Sequence, residues 1–434
     1  MKILLVKPPW FVNGSQYRYL EHVQFTPLAL GILAALSPGH EVRMADADWE
    51  EVPPGEGFDL VGISASTFTS ERAFALADSF RKAGVPVVLG GVHPSIMPDE
   101  CLQHANSVVI GEAEYVWADV LRDAEKRSLK PVYRAERPTD MNDVPMPRRD
   151  FKNESSWFAC VQATRGCPNS CRYCYLPSVP WGAFRKRPVE LVQEEIRLIR
   201  QRVLLFVDDN IFGDREYALR LFRAIAPYGK YWAIQAPTTI GDDDEMLDAM
   251  EAAGCFNVLV GFQSFNKESL EMAAVSHNIG IAAKYRKIME KFHARKMVVN
   301  GFFMFGFDSD GPDSFASTTE MIKRLNIDDA NLFAVTPYPG TPLYAQFERE
   351  KRILPGIKRS QFNWAHAVFK PKLMSPEELE RGVQLAYDSL QGYFRKRLLW
   401  FLLNHWRLLL RNLSLLKLFV TRNFNGGRVS REPE

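Results

Sequence analysis

The chain has 434 residues, of which 46% are hydrophobic and 24% are charged. This composition excludes global disorder, and the length suits two or three domains. The 54 Lys and Arg residues nearly balance the 52 Asp and Glu residues, for a net charge of +2. The whole-chain positive excess of nucleic-acid-binding proteins is absent, so we expect no nucleic-acid partner.

The N-terminus lacks the long apolar core of a signal peptide, and no run of about 18 uncharged apolar residues occurs in the chain. Six cysteines are too few for a disulfide scaffold of this size. Together these features predict a cytoplasmic protein without a membrane-spanning helix.

Residues 1–130 alternate between short apolar strands and helices. The predicted strands are Lys2–Lys7, Glu41–Ala45, Leu60–Ser64, Pro86–Leu89 and Ser107–Ile110, and the predicted helices are Leu28–Leu36, Arg72–Ala83 and Val116–Lys126. This alternation predicts a doubly wound, Rossmann-like parallel α/β sheet. Ligands of such sheets bind beyond the carboxyl ends of the strands. Those ends fall at Pro8–Trp10, Ser64–Thr67, Gly90–His93 and Gly111–Glu114.

Residues 131–150 carry four prolines and mixed charges, so we expect an extended linker and not a packed element.

Residues 151–350 show a second alternation of strands and helices. The predicted strands are Trp157–Ala163, Leu204–Val207, Trp232–Gln235, Asn257–Gly261, Val298–Phe305 and Asn331–Thr336. Helix candidates between them are Glu190–Arg200, Tyr217–Ile225, Asp244–Ala253 and Ala282–Phe292. Six such units predict a partial, TIM-like (β/α)6 barrel, with reactive groups at the C-terminal strand ends.

Residues 351–434 are predicted to be a helical, basic and amphipathic C-terminal region. From Arg395 to the end there are nine basic and two acidic residues, and from Arg397 the sequence is dominated by Leu, Trp and Phe. Two interpretations remain open. The helix docks onto the barrel, or it contacts a membrane surface or gates an apolar substrate.

Three cysteines, Cys167, Cys171 and Cys174, follow the first predicted barrel strand with the spacing C-x3-C-x2-C. Three thiolates on a short loop can hold three irons of a cubane cluster and leave the fourth iron open to a cofactor or substrate. A structural zinc would need a fourth ligand and is the poorer alternative. The remaining cysteines, Cys101, Cys160 and Cys255, are predicted to be buried small hydrophobic residues.

This cysteine motif, with Tyr173 before its last Cys, resembles that of the radical S-adenosylmethionine (SAM) superfamily, and the resemblance extends over residues 157–345. It implies a [4Fe–4S] cluster on the three cysteines, which binds SAM and cleaves it to a 5′-deoxyadenosyl radical. It also implies an electron donor of the flavodoxin or ferredoxin type and a small-molecule substrate. The residues implied in cofactor binding are Tyr173, Asp208, Gln263, Ser264, Gly306 and Thr336.

Residues 1–130 resemble the cobalamin-binding domain that precedes many radical SAM barrels. The residues that carry this resemblance, and that it implies in cofactor binding, are Ser64, Ser66, Thr67, Gly90, Gly91, His93, Gly111 and Glu112. The D-x-H-x-x-G motif that supplies a cobalt ligand in some cobalamin proteins is absent from the first loop, which reaches no His before His22. Cobalamin binding and a vestigial domain are therefore both open.

The two-domain order resembles the methylase-like branch of this family and implies a cobalamin-dependent methyltransferase acting on an unactivated carbon. The alternatives are a non-methylating radical SAM enzyme for rearrangement, cyclisation or carbon–carbon bond formation, and an iron–sulfur redox sensor. The apolar, basic C-terminal region favours a lipid-like substrate.

Overall fold

The computed structural model describes residues 1–10, 25, 27–52, 57–151 and 158–404. Two parallel sheets of six strands each form its framework. The N-terminal sheet is built from β1 (Lys2–Lys7), β2 (Glu41–Asp46), β3 (Leu60–Ser64), β4 (Val87–Gly90), β5 (Ser107–Ile110) and β6 (Val132–Arg134). Its strand order is β2-β1-β3-β4-β5-β6, and every pair is parallel.

Helices cover both faces of this sheet, which explains why its central strands are almost continuously apolar. They are α1 (Leu28–Ala35), α2 (Ser70–Lys82), α3 (Val92–Ile96), α4 (Pro98–Leu102) and α5 (Trp117–Glu125). Two separate hydrophobic clusters lie on the two faces, one around Phe74 and Phe80 and the other around Trp117. The doubly wound fold is confirmed.

The stretch 131–150 is packed, contrary to the expectation of a free linker. Strand β6 extends the N-terminal sheet, and Tyr133 on it is 4% exposed. Beyond it, Thr139, Met141 and Val144 are also buried. Prolines flank the short strand but do not fall within it. The proline-rich composition suggested a linker, although an edge strand can form between prolines. The division of the chain at residues 150 and 350 remains a prediction.

The second sheet is an open barrel with strand order β14-β13-β12-β11-β10-β7. Its strands are β7 (Phe158–Val161), β10 (Val203–Phe206), β11 (Tyr231–Pro237), β12 (Cys255–Gln263), β13 (Val298–Phe305) and β14 (Asp329–Ala334). A separate two-stranded antiparallel ribbon joins β8 (Thr164–Arg165) to β9 (Arg185–Lys186) on either side of the cysteine loop. The six-unit barrel is confirmed, although residue 157 of its first predicted strand lies outside the described residues.

Helices connect the barrel strands on the outside. They are α6 (Val189–Leu198), α7 (Arg215–Ile225), α8 (Asp244–Ala252), α9 (Lys267–Met272), α10 (Ser276–Ile279), α11 (Tyr285–Ala294), α12 (Asp313–Arg324) and α13 (Pro342–Arg349). Several begin at a side-chain cap. Asp214 accepts a hydrogen bond from the Tyr217 N–H at the start of α7, and Asp243 accepts one from the Met246 N–H at the start of α8.

The last described helix, α14 (Pro376–Asn404), docks onto the barrel. Its buried residues recur three or four positions apart, as expected for one helix face, and they are Leu379, Val383, Ala386, Leu390, Phe394, Leu398 and Phe401. The last two pack on Phe158, Val203, Phe256 and Val298 at the N-terminal ends of the barrel strands. The tail beyond Asn404 lies outside the described residues, and residues 351–375 are not α-helical.

An ion-paired cluster fixes α14 in this position. Asp328 accepts hydrogen bonds from Arg397 on α14 and contacts the His293 ring nitrogen at 2.9 Å. Trp400 packs against both the His293 ring and the Arg397 guanidinium. One face of α14 therefore docks on the barrel in the described part of the tail. Among the described helices, none combines the length and apolarity needed to cross a membrane.

Candidate cofactor and substrate site

A cavity of about 840 Å³ occupies the barrel interior and reaches the N-terminal domain. All six barrel strands contribute to its wall, together with Cys167, Cys171 and Cys174. Trp10, which follows β1, and Phe68, which follows β3, line it from the N-terminal domain. Residues from both domains thus face a single space.

The cysteine loop has a fixed backbone. Gly166 has φ +79°, and a Cβ there would lie 2.3 Å from the Ala183 carbonyl oxygen, so only glycine fits. The next residue, Cys167, donates its N–H to the Gly182 carbonyl at 3.1 Å. The loop is therefore held against the segment that leads into β9.

The three thiols suit a multi-iron cluster. All three are partly exposed and line the cavity. Burial raises the pKa of Cys171, and it raises the pKa of Cys174 to about 12. Bound iron would offset this cost because it binds the thiolate form. Within the described residues no three His, Cys, Asp or Glu side chains are grouped to hold one metal ion. A cubane needs no such grouping, since each thiolate would bind a different iron.

Polar groups surround the first of these sulfurs. The Asn169 N–H points to the Cys167 Sγ at 3.5 Å. The Asn210 Nδ2 points to the same sulfur at 3.6 Å. Hydrogen bonds to cysteine sulfur tune an iron–sulfur centre. The Oδ1 of Asn210 is buried without a hydrogen-bond partner. The surroundings of the loop therefore also fit a cluster.

Asp208 holds the strand that leads into the cysteine loop. Its Oδ1 accepts hydrogen bonds from the Ala163 N–H at 3.0 Å, from the Thr164 Oγ1 at 2.7 Å and from the Thr164 N–H. Its Oδ2 is buried without a partner, and burial raises the pKa of Asp208 to about 7. The neighbouring Asp209 accepts the Gly166 N–H at 2.9 Å. These carboxylates position the loop.

The other residues implied in SAM binding divide into two groups. Tyr173, Gln263 and Thr336 line the cavity with Asp208. The Gln263 backbone has φ +64°, an uncommon conformation for a residue other than glycine. Ser264 and Gly306 do not line the cavity. Ser264 caps its own turn by accepting the Asn266 N–H, and the Gly306 N–H is bound by Asp310. Their roles in cofactor binding remain predictions.

The eight residues implied in cobalamin binding lie along the carboxyl edge of the N-terminal sheet, and none of them lines the cavity. Ser64, Gly90 and Gly91 lie at the ends of β3 and β4, and Ser66 and Thr67 begin the turn after β3. A Cβ on Gly91, which has φ +102°, would lie 2.7 Å from the Ala65 carbonyl oxygen. His93 is fully buried, and burial lowers the pKa of its ring to about 4. Their roles remain predictions.

Gly111 and Glu112 end β5 and face the barrel. Gly111 lies against the Trp181 ring, where a Cβ would be 3.1 Å from the nearest ring carbon. Glu112 accepts hydrogen bonds from Arg165 at 3.1 Å and Arg185 at 2.7 Å, both on the ribbon that flanks the cysteine loop. The contacts of Glu112 in this structure are thus with the barrel, and contact with a cofactor stays untested.

We call Glu112, Glu114, Arg165 and Arg185 the interdomain clamp. Arg165 also pairs with Glu114 at 2.7 Å, and all four side chains are 8–17% exposed. Burial alone would raise the pKa of Glu112, but the hydrogen bond from Arg185 and the charge of Arg165 outweigh it and lower that pKa. The clamp fixes the edge of the N-terminal sheet against the cysteine loop.

Aromatic residues line the cavity between the two domains, and of these only Phe68 and Trp364 were absent from the sequence predictions. Trp10 stacks on Phe68 at 5.6 Å, Phe68 contacts Trp364 at 5.5 Å, and Trp364 contacts Phe333 of β14 at 6.0 Å, all between ring centroids. Trp10 and Phe68 lie just beyond β1 and β3 and face the space that holds the cysteines. This arrangement fits a large flat ligand between the sheet edge and the cluster.

Trp364 belongs to a segment that returns from the barrel to the N-terminal domain. We call residues 357–366 the return segment. Arg359 pairs with Glu100 at 3.1 Å, and its N–H binds Glu71 at 3.0 Å. Trp364 has φ +65°, and its carbonyl accepts the Ala334 N–H at 2.8 Å. Sequence patterns missed this segment because it has no periodic apolar spacing.

Two family models match the chain. The radical SAM superfamily model matches residues 161–322, and the B12 binding domain model matches residues 23–121. A similar curated protein is the bacteriochlorophyllide d C-12(1)-methyltransferase of Chlorobaculum tepidum, 29% identical over 84% of this chain and 83% of that protein. Another is the hopanoid C-2 methylase of Rhodopseudomonas palustris, 25% identical over 76% of this chain and 65% of that protein.

Solved structures share the fold. The radical SAM methyltransferase TsrM of Kitasatospora setae has a TM-score of 0.69 at 15% identity, covering 89% of this chain and 88% of that one. The cobalamin-dependent radical SAM enzyme OxsB has a TM-score of 0.68 at 14% identity, covering 90% of this chain and 67% of that one.

The family matches give the cofactors, which are a [4Fe–4S] cluster, SAM and cobalamin, and the geometry of the cysteine loop fits the cluster. Family membership also implies a reductant and a small-molecule substrate. The chain belongs to the radical SAM superfamily and is an enzyme of that superfamily with an N-terminal B12 binding domain.

Proposed function

We propose that this enzyme is a cobalamin-dependent methyltransferase that methylates an unactivated carbon of an apolar small molecule. One observation supports this proposal above the others. The three cysteines and the aromatic residues at the carboxyl edge of the cobalamin-type sheet share a single cavity. A methyl donor held at that edge and a radical source held at the cysteines would both reach one substrate.

When bound, the cluster with SAM supplies a carbon-centred radical, and cobalamin supplies a transferable methyl group. The residues of the chain orient the cofactors and enclose the reaction space. Cys167, Cys171 and Cys174 would hold the cluster, and Asp208 and Asp209 keep their loop in place. The interdomain clamp sets the position of the N-terminal sheet edge, and the wall of Trp10, Phe68 and Trp364 excludes water.

The names of the relatives support methyl transfer. The two bacteriochlorophyllide d methyltransferases of Chlorobaculum tepidum are 29% and 26% identical to this chain and cover more than four fifths of it. Hopanoid methylases are further relatives. Because these names describe large apolar molecules, they also support an apolar, lipid-like substrate.

Contact with a membrane surface is part of this proposal. Leu399 and Leu403 on the last turns of α14 are 59% and 68% exposed, next to the basic residues Arg395 and Lys396. An exposed apolar face beside cations is typical of peripheral membrane helices. Sedimentation with anionic vesicles tests this, and a chain that stays in the supernatant would contradict it.

Methyl-labelled SAM tests methyl transfer against the alternatives. The reconstituted, reduced enzyme is incubated with trideuteromethyl SAM and an extract of apolar metabolites, and products are examined by mass spectrometry. A methyltransferase gives labelled product and 5′-deoxyadenosine. A non-methylating radical enzyme gives 5′-deoxyadenosine and an unlabelled product, which would refute methyl transfer.

A further inference from the structure

The floor of the cavity carries a row of asparagines in otherwise apolar surroundings. Asn257 on β12, Asn300 on β13 and Asn331 on β14 all line the cavity. The Asn331 Nδ2 donates to the Asn300 Oδ1 at 2.8 Å, and the Asn300 Nδ2 donates to the Asp329 Oδ2 at 3.3 Å. The Asn257 Oδ1 is buried without a hydrogen-bond partner. A buried acceptor without a partner is costly unless a ligand satisfies it.

The strand register places these side chains along a diagonal of the sheet. Asn257 is level with Val298, Asn300 is level with Leu259, and Asn331 is level with Phe302. All three residues line the cavity, and each lies two residues further along its strand than the asparagine on the preceding strand. The three amides therefore form one surface, which we call the amide floor.

Asn257 is the residue of the amide floor that lies deepest in the barrel, whereas Asn331 is level with Gly261 near the carboxyl end of β12. Asn257 precedes Gln263, at the carboxyl end of β12, by six residues, which is about 20 Å along the strand. The wall between Asn257 and Gln263 is mostly apolar and includes Leu259 and Phe302, with Gln235 level with Leu259. A substrate that touches Asn257 while its reacting carbon lies near the cluster must be elongated and mostly apolar.

The charges in the cavity argue against an anionic group at the floor. Among the described residues that line the cavity, only Arg72 carries a permanent positive charge. Its guanidinium donates to the carbonyls of Pro9 and Trp10. Burial lowers the pKa of His277, which favours its neutral form. Asp329 lies at the amide floor itself. A carboxylate or phosphate there would lack a cation and lie near a carboxylate.

We propose that the amide floor binds a neutral hydroxyl group at the far end of an elongated apolar substrate. The inference rests on the proposed function only for where the reacting carbon lies. Asn257 is the central residue because its Oδ1 has no partner in the protein and would accept a hydrogen bond from the hydroxyl of the ligand. The amides of Asn300 and Asn331 hold each other in position through their hydrogen bond.

Three matched steroid probes test this proposal by equilibrium dialysis against the reconstituted full-length enzyme. They are the hydrocarbon 5α-androstane, the alcohol 5α-androstan-3β-ol and the anionic 3β-sulfate of that alcohol. We expect the alcohol to bind about tenfold more tightly than the hydrocarbon, the gain from one buried neutral hydrogen bond. The sulfate should bind most weakly. Equal affinities, or tightest binding of the sulfate, would overturn the proposal.

Substitutions test whether Asn257 causes the preference for the alcohol over the hydrocarbon. Asn257→Leu removes an oxygen that has no protein partner, so the fold should persist, and the preference for alcohol over hydrocarbon should disappear. Asn257→Ala, which shortens the side chain without adding apolar atoms, should also abolish this preference. The control Leu259→Ala, on the apolar wall, should weaken all three probes by a similar factor. A preference that survives Asn257→Leu would overturn the proposal.

This test is separate from that of methyl transfer because dialysis needs no turnover. A preference that depends on Asn257 in an enzyme that transfers no methyl group would support the amide floor and refute the proposed function. Labelled product without such a preference would do the reverse.

Discussion

The interdomain clamp offers a quantitative test of how the two domains cooperate. Glu112→Ala removes the acceptor of four hydrogen bonds from Arg165, Arg185 and the Thr139 N–H. Breaking a buried ion pair costs about 3–5 kcal/mol. The cost here should be lower, about 2–3 kcal/mol, since Arg165 keeps Glu114 and Arg185 keeps the Thr139 and Trp181 carbonyls.

Urea unfolding of the purified enzyme measures this free energy. The matched control is Glu194→Ala, which removes a pair with Arg197 on the surface of α6, where both side chains are about half exposed. That variant should lose less than about 0.5 kcal/mol. A loss for Glu112→Ala no larger than that of the control would refute the clamp.

The clamp also predicts a specific loss of function. In Glu112→Ala the sheet edge is no longer fixed against the cysteine loop, so transfer of a labelled methyl group from SAM to bound corrinoid should fall at least about tenfold. Formation of 5′-deoxyadenosine depends on residues of the barrel, which the substitution leaves in place, and should change by less than about threefold. Equal losses in both assays would contradict a positioning role.

Variants at three further positions probe the site. Cys171→Ala should lower the iron content and abolish 5′-deoxyadenosine formation, measured by iron analysis and chromatography, and normal values for both would refute the cluster assignment. Asp208 has a pKa of about 7, raised by burial from the ordinary 3.8, so the folded state holds a proton that the unfolded state lacks between about pH 4 and 7. Wild-type stability should therefore fall relative to that of Asp208→Asn as pH rises through this window; unfolding curves with an unchanged difference at pH 5 and pH 8 would contradict this. At Trp364, with φ +65°, the Gly variant should be about 1 kcal/mol more stable than the Ala variant, because glycine tolerates that conformation; the opposite order in urea would exclude strain there.

The regular parts of the molecule were predictable because parallel strands covered on both faces are continuous apolar runs. The runs at residues 60–64, 107–110 and 298–305 became strands with the predicted bounds. The cysteine motif was equally informative, since its spacing alone brings three thiols onto one loop. The fold class followed from the apolar runs, and the cofactors and enzyme family were implied by the resemblance of the cysteine motif and of the N-terminal strand ends to known families.

The contacts between domains were not predictable. Glu112 has the local signature of a loop after a strand, and only the packing of the barrel shows that it pairs with Arg165 and Arg185. Trp364 has no repeating pattern around it, and its position depends on Arg359 reaching Glu100 of the other domain. Such contacts join residues more than fifty positions apart, which no periodicity reports.

The amide floor shows a third kind of limit. Asn257 stood at the start of a predicted strand, and Asn300 and Asn331 lay within or at the edge of two others. In the sequence each is a single polar residue beside apolar ones, and this pattern does not show that the three are neighbours. Only the register between β12, β13 and β14 shows that they follow one diagonal of the sheet.

The most direct test of the account follows the methyl group itself and needs no knowledge of the substrate. The reconstituted enzyme, loaded with cobalamin and reduced, is given trideuteromethyl SAM, and the bound corrinoid is then released and weighed by mass spectrometry. The account predicts corrinoid that carries the deuterated methyl group, and 5′-deoxyadenosine in the same reaction. A chain that retains no corrinoid, or a corrinoid that stays unlabelled while SAM is cleaved, would contradict it.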